Sequence, residues 1–156
     1  MNDIVLIVAS CDEYRALWKP FFTLIKKYWA DCPFKTYLIS QNPDCLGIEG
    51  MAEKSESWAT RVKSALEKIE APYFILLGEV GLLAEKVNTA RILELFGIMK
   101  KENICYLGLN FIDRMRDFPQ FKDYSDLIEV ENDPYRVNFM SCGIWNKEVF
   151  YKILRE

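Results

Sequence analysis

The chain begins with an unbroken apolar run, IVLIVA from Ile4 to Ala9, and turns polar at once in SCDE. A run of β-branched residues with no alternation is the pattern of a strand buried on both faces that ends in an exposed loop. From Tyr14 to Trp29, Leu17, Phe21, Leu24 and Tyr28 recur beside Trp18, Phe22, Ile25 and Trp29, which predicts a helix with a broad apolar stripe. Pro20 lies inside the stripe, so the helix either starts around it or is kinked there. CPFKTYLIS, Cys32 to Ser40, alternates into a second strand. Gln41 to Glu56, with Asn-Pro, two glycines and several acids, has no period and reads as a long loop of the kind that carries function or motion.

Ser57 can cap a helix whose inner face is Trp58, Val62, Ala65, Leu66 and Ile69. APYFILLGEVGLL supplies a third strand. Ile92, Leu95, Phe96 and Met99 mark a helix beginning near Glu85, and NICYLGLN, Asn103 to Asn110, a fourth strand. Beyond Asn110 the aromatic and charged residues mix. LIEVE and Val137 to Trp145 read as short strands, and NKEVFYKILRE as a closing helix. Strand and helix alternating through Asn110 imply right-handed crossovers and a mainly parallel sheet, with the later strands added in mixed orientation. No repeat or linker divides the sequence, so residues 1–156 read as a single domain.

In an open sheet of this type ligands bind beyond the carboxyl ends of the strands. That rule selects Ser10 to Tyr14, Ser40 to Asn42, Gly78 to Gly81 and Asn110 onward as the mouth of a site. ASCDEY can present Ser10, Asp12 and backbone N–H groups to a nucleotide, or it can serve only as a helix cap. Arg61, one helical turn beyond Trp58, could reach a pyrophosphate while the indole packs on the sheet, or lie in solvent. In GEVG, Glu79 between Gly78 and Gly81 could hold a divalent cation that bridges phosphates, or be an exposed turn acid. In NFMSCGIWNKEVF, Gly143 permits close backbone approach before Trp145, which reads more readily as core. Neither a dinucleotide-binding glycine fingerprint nor a Walker loop is present.

Composition narrows the chemistry further. At 156 residues, 51% hydrophobic and 14% aromatic, the chain is long enough to bury a core. A net charge of -3 offers no general pull toward nucleic acid, so an anionic ligand must be held by local groups. There is no histidine, which excludes Ser-His and Cys-His nucleophiles and leaves carboxylate, Lys, Tyr or Cys as acid or base. Five cysteines without a CxxC pair fit neither a disulfide framework nor a zinc site. Cys11 reads as a small buried thiol. The apolar runs are too short to span a bilayer and no signal peptide opens the chain, so a cytoplasmic protein is expected.

Three blocks in order, SCDEYRALWKPFFTLIKKYWADCPFKTYLIS, SWATRVKSALEKIEAPYFILLGEVGLLAEKV and YRVNFMSCGIWNKEVFYKIL, resemble the small bacterial glycosyltransferases of GT-A type associated with capsule and other surface polysaccharides. The resemblance implies a Rossmann-like three-layer sandwich. It further implies a nucleotide-sugar donor contacted by Ser10, Cys11, Asp12 and Tyr14, with Trp58 and Arg61 near it. Gly143 and Trp145 would fall on the acceptor side. The acceptor would be a saccharide or a lipid-linked sugar, with at most a peripheral membrane association. Such families usually carry two acids after the third strand to bind Mn²⁺ or Mg²⁺. Here Glu79 stands alone, with Val80 in the second place or Gly78 in the first according to register. No catalytic base is assigned, since Asp113, Asp117 and Asp133 lie in the variable part. A degenerate, non-catalytic binding or assembly module is the alternative, and an unrelated flavodoxin-like or nucleotide-binding regulator is a third.

Overall fold

A computed structural model describes residues 3–44, 47–109, 118–130 and 142–154. Ile4–Ala9 forms β1, with all six residues buried. A short 3-10 turn, Asp12–Tyr14, leads into α1, Arg15–Tyr28, which continues through Pro20. Then come β2 (Thr36–Ser40), β3 (Glu49–Ala52), α2 (Trp58–Lys68) and β4 (Tyr73–Leu77). They are followed by α3 (Thr89–Lys101), β5 (Tyr106–Gly108), β6 (Gln120–Phe121), β7 (Tyr124–Ile128), β8 (Gly143–Asn146) and α4 (Lys147–Ile153).

The main sheet has six strands in the order β3-β2-β1-β4-β8-β5. β3, β2, β1 and β4 are mutually parallel, and β8 runs antiparallel to both β4 and β5. This is a mixed α/β architecture with a mainly parallel, Rossmann-like sheet. Its two faces bury separate cores. Ile4, Leu6, Val8, Leu38 and Ile75 meet Trp18, Phe21, Phe22 and Ile25 of α1 and Leu95, Phe96 and Met99 of α3. Val5, Ile7, Ile39, Phe74 and Trp145 meet Val62, Ala65 and Leu66 of α2 and Phe150 of α4. β1 contributes alternate residues to both cores, which is why its sequence shows no polar alternation.

Several elements differ from the sequence expectation. The segment read as one long loop, Gln41 to Glu56, contains β3, which pairs with β2 from Tyr37↔Glu49 to Ser40↔Ala52. β3 has a sheet neighbour on one side only and is largely exposed, so it needs no apolar pattern. Gly50 is required there, because a Cβ would stand 2.7 Å from the carbonyl oxygen of Pro43. α3 begins at Thr89 rather than near Glu85, for Asn88 caps it by accepting from the Arg91 amide at 3.0 Å. Ahead of it, the Val87 amide donates to the Tyr28 carbonyl at 2.8 Å, and Trp29 Nε1 to Thr89 Oγ1 at 2.9 Å. These bonds tie the segment after β4 to the end of α1. Of LIEVE, Leu127 and Ile128 end β7, which pairs with β6 in a separate two-stranded hairpin instead of joining the main sheet, while Glu129 and Val130 lie beyond the strand. Of the strand expected over Val137 to Trp145, the described part is Gly143–Asn146.

Candidate functional site at the switch point of the sheet

From β1 the chain moves outward through β2 to β3, then returns to β4 on the other side of β1. The strand order therefore reverses between β1 and β4, and their carboxyl ends flank the crevice where open α/β sheets bind ligands. The loop Ser10–Tyr14 follows β1 and the turn Gly78–Gly81 follows β4, so both segments lie beyond these carboxyl ends. This is where the sequence reading looked, although the order that makes it the switch point is a property of the fold.

On the β1 side, Ser10 is buried, and its Oγ accepts from Trp18 Nε1 at 2.8 Å. Its backbone carbonyl accepts from Arg61 Nη2 at 3.4 Å. Cys11 is partly exposed, and Tyr14 is 47% exposed on the 3-10 turn. Asp12 is engaged with the loop after β2. Its Oδ1 accepts from the Asn42 amide at 2.9 Å and its Oδ2 from Asn42 Nδ2 at 2.6 Å, while its own amide donates to Gln41 Oε1 at 3.0 Å. The Asn42 hydrogen bonds, aided by the Arg15 charge, hold the Asp12 carboxyl below its ordinary range. Ser40 Oγ also stands near enough to contribute to that lowering, yet makes no hydrogen bond of normal geometry and is fully buried.

α2 starts beside this loop. Ser57 caps it by accepting from the Thr60 amide at 3.3 Å, as its sequence position suggests. Trp58 is half-buried against the second core. Arg61, in the same first turn, is 4% exposed and folds inward. Its Nη1 donates to the Ser55 and Glu56 carbonyls at 2.7 and 2.8 Å, and Nε has no partner among the described residues. Among the described residues its partners are the backbone carbonyls of Ser10, Ser55 and Glu56, and no carboxylate.

Across the crevice, the Gly81 amide donates to the Gly78 carbonyl at 3.0 Å, closing a turn over Glu79 and Val80. Glu79 is 6% exposed and has no hydrogen-bond or ion-pair partner among the described residues, whereas Val80 is 59% exposed. A carboxylate without a partner just beyond the carboxyl end of β4 suits a cation or a hydrogen-bonding ligand. Among the described residues no group of three His, Cys, Asp or Glu side chains gathers around a metal position. Asp113, Asp117 and Asp133 fall outside the described residues.

The residues read as acceptor-side are arranged differently. Gly143 opens β8 at the mouth, opposite Leu76, but the space over it is filled: a Cβ there would stand 2.5 Å from Cε2 of Tyr106. Trp145 pairs with Phe74 near the amino edge of the sheet and is fully buried between Tyr106 and Phe150, with ring centroids at 4.2 and 4.9 Å. Its ring is a core element. Beside Gly143, burial pushes the Cys142 thiol up to about 12, too high to supply a thiolate at neutral pH. Sequence reasoning missed Glu53, a buried acid just after β3 that accepts from Ser64 Oγ at 2.7 Å and from Lys68 Nζ. No signal pointed to it because β3 itself was not apparent. A groove of about 280 Å³ between α2 and α4 is lined by Leu66, Lys147 and Tyr151 among others, and by none of the residues of the loops after β1 and β4.

No helix among the described residues is long and apolar enough to cross a membrane. No family model matches the sequence, and no curated protein matches it. Among solved structures, the bifunctional IspDF from Campylobacter jejuni is similar over 99% of this chain and 43% of its own, at 15% sequence identity and a TM-score of 0.49. The chain thus spans less than half the length of that protein.

Proposed function

We propose that this chain is a GT-A-type glycosyltransferase that moves a sugar from a nucleoside-diphosphate donor to a saccharide or lipid-linked acceptor in surface polysaccharide synthesis. The observation that carries the reading is Glu79, a buried carboxylate without a partner among the described residues, beside the switch point of a mainly parallel sheet. The loop Ser10–Tyr14 receives the nucleotide. Trp58 and Arg61 form the donor side beneath it, and Glu79 contributes to a divalent-cation site.

Glu79 would supply one carboxylate ligand, with diphosphate oxygens and water supplying the rest, as the hard cations Mn²⁺ and Mg²⁺ require. When bound, such an ion would offset the charge of the departing diphosphate. In transfer, the bond between the anomeric carbon and the diphosphate oxygen breaks as the bond to the acceptor oxygen forms, and the acceptor proton passes to a base. Arg61 keeps its positive charge close to the leaving diphosphate without having to be desolvated during the reaction. The protein works in the cytoplasm, with peripheral contact to the membrane when the acceptor is lipid-linked.

Titration calorimetry with UDP, CDP and GDP, each with Mn²⁺, tests the donor site. Saturable binding of one of them, with turnover of a matching nucleotide sugar, is expected; no binding to any of the three would overturn the reading. A second reading, a non-catalytic module of the same fold, is favoured by the lone acid of this turn: an exposed Val80 fills the second acidic place in one register, and Gly78 the first in the other. That reading is separated by nucleotide binding with neither donor hydrolysis nor transfer, unchanged in Glu79→Ala.

A further inference from the structure

Asp12 has the residue type and position of a direct ligand to a nucleotide's ribose or base, yet its hydrogen bonds run elsewhere. Both carboxylate oxygens accept from Asn42, one from the backbone amide at 2.9 Å and one from Nδ2 at 2.6 Å. The Asp12 amide is taken by Gln41 Oε1 at 3.0 Å, and Arg15 Nη2 donates to the Asn42 carbonyl at 2.7 Å. Four hydrogen bonds therefore lock the loop after β1 to the loop after β2. On its far side the second loop is wedged as well: Pro43 lies so close over Gly50 of β3 that a Cβ would meet its carbonyl oxygen at 2.7 Å and its ring carbons at 2.8 and 2.9 Å.

We propose that Asp12 is a positioning residue, which holds the loop after β1 in place at the nucleotide crevice by clasping Asn42 rather than by touching the ligand. This rests on the nucleotide-site reading above and narrows the role of one residue within it. A loop held at two edges, by Asp12 on one and Gly50 on the other, presents its backbone groups to a ligand in one arrangement. Pre-organisation of this kind raises affinity by removing the cost of ordering the loop on binding. The clasp is made of residue types that can trade places: if positions 12 and 42 exchange, the amide at 12 still accepts through its oxygen and donates through its nitrogen to the carboxylate at 42.

The exchange supplies the test. Calorimetric titration with the best-binding nucleoside diphosphate and Mn²⁺ compares the wild type, Asp12→Ala, Asp12→Asn with Asn42→Asp together, and Gly50→Ala. Amide hydrogen exchange over residues 10–14 and 41–44 is followed in the same four proteins. Asp12→Ala and Gly50→Ala are each expected to weaken binding about tenfold and to speed exchange in the loop. The swapped double variant is expected to return to within about twofold of wild type in both readouts. A swapped variant that restores loop protection but binds as poorly as Asp12→Ala would overturn the proposal, for the carboxylate would then be needed at position 12 itself. Unchanged exchange in Asp12→Ala would overturn it too. If the wild type binds no nucleotide while the exchange pattern behaves as stated, the donor-site reading fails and the clasp stands as a loop-positioning device.

Discussion

The strands around the switch point and the hairpin β6–β7 are held in place by opposite means. β1, β2 and β4 bury apolar side chains on both faces against α1, α2, α3 and α4. The hairpin is fastened to α3 mainly by charge: Arg91 pairs with Asp126, Lys122 with Glu102, and Tyr124 Oη donates to Glu102 at 2.8 Å, with Leu127 as an apolar contact to the core. Burial scales with apolar area and is insensitive to salt, whereas exposed ion pairs are individually weak and are screened. The loops of the candidate site therefore extend from strands held by apolar burial, and weakening the hairpin's ion pairs is expected to leave that sheet folded.

The largest expected effect lies in the core. Phe22→Ala removes a fully buried ring from the contact between α1 and the sheet and should cost about 3–5 kcal/mol in denaturant unfolding. Loss of less than about 1 kcal/mol would mean that this face is not the packed layer described. Arg91→Ala should cost below about 1 kcal/mol, and hydrogen exchange over residues 120–128 should rise in the variant at low salt. In 1 M NaCl the wild-type hairpin should exchange like the variant, because exposed charges are then screened within a few ångströms. A difference that persists at high salt would show that packing, and not charge, holds the hairpin.

A subtler effect concerns acid. Hydrogen bonds from Lys122 and then Tyr124 hold the Glu102 carboxyl down at about 2. A pKa depressed in the folded state gives a stabilisation that is complete above the ordinary glutamate value of 4.5 and is lost as pH falls toward about 2. NMR titration of Glu102 should give its midpoint near about 2 in the wild type, rising toward the ordinary value in Lys122→Ala. An unchanged midpoint in the variant would remove Lys122 as the cause.

The same contrast explains what could be read from the sequence. IVLIVA and the stripe from Leu17 to Trp29 announce β1 and α1 because burial imposes period on a sequence. β3 went unseen because an edge strand with Glu49 exposed and Gly50 under Pro43 answers to one neighbour and one steric contact. LIEVE was read as a strand, but nothing in it told that charges on α3 would set its place. At the site, the loops after β1 and β4 were legible from the rule that ligands sit beyond the carboxyl ends of the strands. The burial of Glu79 in an otherwise exposed turn was not, nor the bonding of Asp12 to Asn42 across a separation of 30 residues. Both depend on strand order, which brings distant loops together.

The central claim is that Glu79 is a cation ligand in a nucleotide crevice. It is tested most directly by electron paramagnetic resonance of Mn²⁺, which reports free ion, titrated into the protein with and without the nucleoside diphosphate it binds. The account predicts that the nucleotide and wild-type protein together sequester Mn²⁺ more tightly than nucleotide alone, and that Glu79→Gln loses this gain by about tenfold or more while keeping its unfolding midpoint. Equal sequestration by Glu79→Gln and wild type, with both folded, would contradict it.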